Sequence, residues 1–459
     1  MKTKLWLGVG SVMFAGSVLN TTIPAVDFGN ALLGVSPAYS QESGEGGEAA
    51  VTQKPAASAG GEGGEGAVTP APAASAGGEG GEGGGESGAA IPTSYLISST
   101  KADAFKFDAK AQVEAYIDLA RTSYTAAGKI AEDLEHTIDA FLDKPDETTL
   151  AAARAAWVKA RPSYLVTEAF RFSDTPIESL EGQINAWPMN EAAIDYVKDN
   201  PKAGIVNAGT EPLTIEAIVK ANGADDEANV TTGWHAVEFL LWGQDLNPDG
   251  PGARPATDYV AGTPANDRRR LYLHLVAEQL EHDIQSVAAA WNDEGPEGYT
   301  AKLKALPERE VLGRMLNGMA IMAGSEFMSA RLAVALDSGD QEDEHSCFSD
   351  TTHQDFVYDL QGIKNVWTGD ADGKTRAGLD ELVKSIDPET AASIDALLAD
   401  TEIKVAALGN PWDKVLASPE GSPERKAGEA AVSALQALGE GLTKAGSKLG
   451  VLVLIPAAG

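Results

Sequence analysis

The sequence predicts an all-α protein preceded by a disordered linker, with helices long enough to pack as antiparallel bundles. Three observations carry this. Apolar residues recur at spacings of three and four along most of residues 95–411. No stretch alternates apolar and polar residues with the period of two that a half-buried strand needs. Residues 41–94 are a repeat with almost nothing large and apolar to pack.

Taken in order, residues 1–40 read as an export signal. Lys2 and Lys4 form a short positive region, an apolar run from Leu5 to about Leu19 follows, and Ala38-Tyr39-Ser40 offers small residues where a signal peptidase reads. The run is interrupted by glycine and serine and is short for a membrane span. Gly-Glu-Gly-Gly-Glu then recurs at Gly44, Gly61 and Gly78, a repeat of 17 residues, with Pro-Ala-Ala-Ser-Ala-Gly at Pro55 and again at Pro72. Such a segment is a flexible acidic tether.

The folded part starts near residue 95. Val113, Ile117, Ala120, Tyr124, Ala127, Ala131, Leu134, Ile138 and Phe141 mark one face of a long helix that stops before Pro145. A second helix is expected over 148–172 with a kink at Pro162. Short helices near 191–199 and 214–221 precede a buried helix at 233–242. Long helices follow at 265–291 and 308–336. An acidic loop fills 337–353, shorter helices run to about 408, and the tail from 412 holds one more helix near 424–448. Met315, Met319 and Met322 keep helical spacing and are expected in the core. His136, His274 and His282 have charged neighbours and are expected at the surface.

The formal net charge of −33 argues against a nucleic-acid partner, which would be repelled. Cys347 is the single cysteine, so no intramolecular disulfide forms and stability rests on the core.

Function is expected in Gly233-Trp-His235-Ala-Val-Glu238-Phe-Leu-Leu-Trp-Gly243-Gln-Asp245. Thr231 and Thr232 can cap the start of this helix and Gly243 its end. His235 and Glu238 are three apart and share a face. The remaining side chains leave no solvent-facing stripe, so the helix is buried, and a buried carboxylate needs a partner. A neutral imidazole one turn away is a natural co-ligand for a metal. The plainer reading is a core His–Glu pair satisfied by another helix. Ferritin-like di-iron sites need Glu-x-x-His on two helices, and zincins need two histidines one turn apart; neither pattern is present.

Two segments echo each other. Glu168, then Arg171 and Phe172-Ser-Asp174, parallels Ser325-Glu326, then Arg331 and Phe348-Ser-Asp350. One reading sends Glu168 and Glu326 to the same interior as His235 and Glu238, giving an oxygen-rich donor set that leans towards iron over zinc. The other pairs each glutamate with its own arginine. The run Glu342-Asp-Glu-His345 reads as an exposed acidic loop.

The Gly233–Asp245 segment resembles the signature of the imelysin-like family. Tyr164–Phe172, Gly324-Ser325-Glu326-Phe327 and Glu344-His-Ser-Cys-Phe-Ser-Asp350 are similar to its iron-regulated protein A branch. The resemblance covers roughly residues 100–410. It implies two related helical bundles, 95–245 and 246–411, with the Gly-x-His-x-x-Glu segment near their junction. It also implies export to the periplasm or outer surface of a bacterium, and a link to iron uptake with other envelope components. The ligand would be a metal ion or a metal-bearing molecule. Some members are called metallopeptidases that use the His/Glu pair. The site residues expected on this basis are His235, Glu238, Glu168 and Glu326 as metal ligands, with Gly233, Asp245, Arg171, Arg331 and Ser325 around them.

Overall fold

The computed structural model of the chain describes residues 105–209, 212–247, 250–409 and 411–456. The expected export signal at 1–40 and linker at 41–94 lie outside the described residues. Among the described residues the fold is helical, and its one sheet is the two-residue pair Asp370–Ala371 and Lys374–Thr375. The all-α expectation holds.

The first bundle contains α1 (Lys110–Asp143), α2 (Glu147–Leu165), α3 (Gly233–Trp242) and α4 (Pro264–Asn292). α1 runs along both α2 and α4, and α3 is held between α2 and α4. Every residue of the stripe from Val113 to Phe141 is buried. α2 opens on a capping box: Asp146 Oδ1 accepts from the Thr148 and Thr149 N–H groups at 3.0 Å, and Thr149 Oγ1 accepts from Asp146 N–H at 3.2 Å. It passes through Pro162 and ends at Leu165, not at Phe172. The chain goes on as a single 3-10 turn over Glu168–Phe170.

All ten residues of α3 are buried. Trp234 and Trp242 pack edge-on against Trp157 of α2, with centroids 6.0 and 5.5 Å apart. Burying side chains of this size contributes roughly 1.5–3 kcal/mol apiece. The expected threonine cap is not made: the hydroxyls of Thr231 and Thr232 donate to Ile218 O and Gln183 O instead. Gly243, at φ +73°, closes the other end as expected.

The second bundle contains α5 (Glu308–Ser338), α6 (Thr352–Thr368), α7 (Leu379–Ile386), α8 (Pro388–Ala406) and α9 (Pro423–Leu449). α9 lies along α5 and α8, and α6 touches α5, α7 and α8. Two expected boundaries move. The division at 245/246 falls inside the first bundle, since α4 returns to pack on α1. The tail from 412 is no appendage, since α9 buries Leu435, Leu438, Leu442 and Leu449 in the second core.

α5 is α-helical at both ends and π-wound over Met322–Ala333. The two bundles meet where α6 crosses the end of α2. A Cβ on Gly362 of α6 would stand 2.6 Å from Val166 O, so only glycine allows this approach.

Candidate functional site

The site is built on α3 from below and on the 344–355 segment from above. Gly233 starts α3 at φ +84°, and a Cβ there would lie 2.4 Å from Ile184 O. Glycine is therefore required both by the backbone angle and by space. One turn on, His235 and Glu238 share a face as the spacing predicts, with His235 Nδ1 3.0 Å from Glu238 Oε2. The other Glu238 oxygen, Oε1, accepts from Ser349 N–H at 2.9 Å and Ser349 Oγ–H at 2.6 Å.

A second imidazole faces the first. His345 lies with its ring centroid 4.8 Å from that of His235. Its Nδ1 is 2.6 Å from Asp355 Oδ2, which also accepts from Ser346 Oγ at 2.7 Å. A carboxylate only accepts, so His345 Nδ1 carries the hydrogen and Nε2 keeps a lone pair. Each histidine is thus backed by a carboxyl group, the arrangement that orients metal-binding imidazoles.

Arg161 of α2 occupies the space between them. Its Nη2 is 3.3 Å from His235 Nε2, 3.5 Å from His345 Nε2 and 3.4 Å from Asp355 Oδ2, while Nη1 donates to Asn185 Oδ1 at 2.5 Å. Trp187, half-buried, packs against both imidazoles at 5.5 and 6.2 Å.

Burial, then the Arg161 guanidinium and the neighbouring imidazole, hold His235 well below the ordinary histidine range. Burial, then Arg331 and Arg161, do the same for His345. Both rings are therefore neutral at neutral pH. Burial pushes the Glu238 carboxyl up to about 8, against the pull of Ser349 and Arg161. Its proton sets the tautomer next door. Ionised, Glu238 accepts Nδ1–H and leaves the His235 Nε2 lone pair to Arg161. Protonated, it donates to Nδ1 and turns an Nε2–H towards a guanidinium that can only donate.

Glu168 and Glu326 do not join this group, and the expectation that they complete a metal shell with His235 and Glu238 is corrected. Glu168 Oε2 takes Arg171 Nη1 at 2.8 Å and Arg331 Nη2 at 2.5 Å. Glu326 Oε1 takes Arg331 Nη2 at 2.9 Å, and Asp359 Oδ2 takes Arg331 Nη1 at 2.8 Å. Burial works against ionised Glu168, but Arg171 and Arg331 outweigh it and hold its carboxyl well below the usual range. Ser325 is buried in the same π-wound turn. Asp245 lies past the end of α3 and belongs to a different carboxylate group.

The exposed-loop reading of 342–345 holds at Glu342 and is corrected from Glu344 on: Glu344, His345 and the following Ser346 are fully buried. Arg161, His345, Asp355 and Ser349 are the site residues that sequence reasoning left out. Arg161 carried a signal, standing four residues after Trp157 on the buried face of α2. His345 carried one too, in the switch from acids to Ser-Cys-Phe.

The donor chemistry of two imidazoles and two carboxyls suits iron or zinc. The geometry does not suit a bare ion, because Arg161 Nη2 stands 3.3 Å from His235 Nε2 and 3.4 and 3.5 Å from the Nδ1 and Nε2 of His345. Among the described residues, no group of three His, Cys, Asp or Glu with ligand atoms within 4.8 Å of one another includes His235 or Glu238.

The sequence pattern of the Imelysin family (Peptidase_M75) matches residues 120–441. Iron-regulated protein A of Synechococcus elongatus is 23% identical over 322 residues, spanning 68% of this chain and 79% of that protein. The crystal structure of an iron-regulated protein A precursor from Parabacteroides distasonis superposes with a TM-score of 0.60 at 21% identity, covering 74% of this chain and 94% of that one. An imelysin-like protein from Psychrobacter arcticum gives 0.56 at 13% identity, covering 76% and 99%. At these identities the solved structures speak for the fold. The family match takes in well over half of the chain, from α1 into α9, and the chain belongs to the imelysin family.

Proposed function

We propose that this protein works in iron acquisition as an exported binding protein of the bacterial periplasm or outer surface. Its ligand is iron carried with an anionic chelator, taken at the His235–His345–Arg161 cluster. The observation that carries the reading is the pair of carboxyl-backed neutral imidazoles facing one guanidinium. Imidazole Nε2 atoms can meet a metal, and the Arg161 charge can meet the anion that accompanies it. A bare cation would be repelled by the same arginine. The relative named iron-regulated protein A supports iron over zinc as the metal.

The peptidase reading asks for an activating base beside an open position, and both Glu238 oxygens are already engaged. Binding therefore accounts better for the arrangement than catalysis.

Melting temperatures of chelator-treated full chain test this, measured with ferric citrate, citrate alone, and zinc chloride. Ligand that binds the folded state raises the melting temperature by mass action. The largest rise is expected with ferric citrate, and His235→Ala should remove it. Asp139→Asn, which lies outside the cluster, should keep it. No rise with ferric citrate in the parent, or an equal rise in His235→Ala, overturns the proposal.

A further inference from the structure

A second constellation lies beyond the C-terminal end of α3. Asp245, Asp350 and Asp413 come from three separate segments and are all buried, each with a carboxylate oxygen within 4.8 Å of the others. Glu344, fully buried, reaches into the same group and faces Asp413. Asp245 is held in place, with Oδ1 accepting from Asn247 N–H at 3.0 Å and Oδ2 from Gln341 Nε2 at 2.7 Å. The others are not. Asp350 Oδ1, both oxygens of Asp413 and both oxygens of Glu344 are buried and meet no well-aligned donor, so Glu344 and Asp413 can satisfy each other only by sharing a proton. The Thr352 hydroxyl lies beside Glu344; its oxygen accepts from Ser346 N–H at 3.0 Å while its proton can turn to the Glu344 carboxylate.

No arginine, lysine or histidine forms an ion pair with any of the four among the described residues. Lys414 acts on Asp350 only from a distance. Elsewhere this chain answers buried acids with arginine, as at Glu168 and Asp359. Carboxylates gathered out of water with oxygens unmatched are costly unless a cation or protons complete them.

We propose that Asp245, Glu344, Asp350 and Asp413 bind a hard divalent cation, calcium, through their carboxylate oxygens. The donor set is all oxygen, which selects calcium, magnesium or manganese over softer metals. Three chain segments provide the ligands, Glu344 and Asp350 from one of them. That suits calcium, which accepts six to eight oxygens in a flexible shell, better than magnesium, which demands a near-ideal octahedron and keeps its waters. The site has a structural consequence for the iron-binding cluster. Glu344 precedes His345, Asp350 follows Ser349, and Asp245 follows α3. A cation here ties the upper arm of that cluster to the helix carrying its lower half.

The test uses full chain treated with chelator and exchanged into calcium-free buffer. Calcium binding is followed by calorimetry and by melting temperature, with magnesium and manganese as comparisons. Calcium should raise the melting temperature by roughly 2–5 °C at about 100-fold over its Kd. The double variant Glu344→Gln, Asp413→Asn should lose both the heat and the shift while melting no lower than the parent in calcium-free buffer. Asp139→Asn, in the half-buried Glu135–Asp139–His274 group, should keep them. Absence of calcium binding in the parent overturns the proposal, as does undiminished binding in the double variant.

Discussion

Two sets of buried and half-buried carboxylates flank the same interior and are balanced in different ways. Glu168, Glu326 and Asp359 close on Arg331, and Arg171 ties Glu168 to Glu181 at 3.1 Å from the latter. Asp245, Glu344, Asp350 and Asp413 have no guanidinium among them. The first set spans the bundle junction with arginine as its counter-charge, although Glu168 Oε1 and Asp359 Oδ1 stay unmatched. The second leaves oxygens unmatched and awaits a cation. The lesson is that, of these two sets, the one closed by arginine is a structural joint and the one without a guanidinium is the candidate for a cation.

The largest effect that would break this comparison is on the paired side. Arg331→Met leaves Glu168, Glu326 and Asp359 without their shared counter-charge, and should cost about 3–5 kcal/mol in urea unfolding. A loss below about 1 kcal/mol would mean that the joint does not hold the bundles. On the unpaired side, Glu344→Gln with Asp413→Asn in calcium-free buffer should be neutral or stabilising by about 1–2 kcal/mol, since repelling charges are removed. A marked loss there would show that the four acids already have partners.

A smaller effect concerns Glu238, which stands between the two cases. An unfolded glutamate ionises near pH 4.3, whereas folded Glu238 keeps its proton to about 8. The folded state therefore binds the extra proton. This contribution to stability is full below about pH 4.3 and is lost as pH rises towards 8, by up to roughly 1.4 kcal/mol per unit. In Glu238→Gln the decline between pH 5 and pH 8 should be shallower than in the parent. Equal slopes would assign the pH dependence to other acids.

The smallest effect sharpens the scale. The glutamates of the 41–94 repeat are expected never to leave water, so deleting residues 41–90 should move the melting temperature by no more than about a degree or two.

Much of the fold was legible because its signals are local. The Val113–Phe141 stripe, the stop before Pro145 and the buried run around His235 each depend on a few neighbouring residues. The bundle boundary was not, because which helices pair is decided by packing: nothing in α4 or α9 announces a return to α1 or α5. The site was half legible. His235 and Glu238 share a helix, and their spacing declares them. His345 and Asp355 meet them only across the bundle junction, and the acidic run before His345 hid its burial. The Glu326–Arg331 pair was one of two open readings, and the sequence could not decide between them for a further reason. Residues five apart diverge on an α-helix, but the i→i+5 winding of Met322–Ala333 brings them to one side, and no residue pattern marks that turn.

The central claim is that two facing imidazoles, with Arg161 between them, take iron bound to an anion. Its most direct test is the iron content of full chain incubated with ferric citrate and then separated from free ligand by gel filtration. The parent should retain iron, and His235→Ala and His345→Ala should each lose it while Asp139→Asn retains it. Iron absent from the parent, or kept by both histidine variants, would contradict the account.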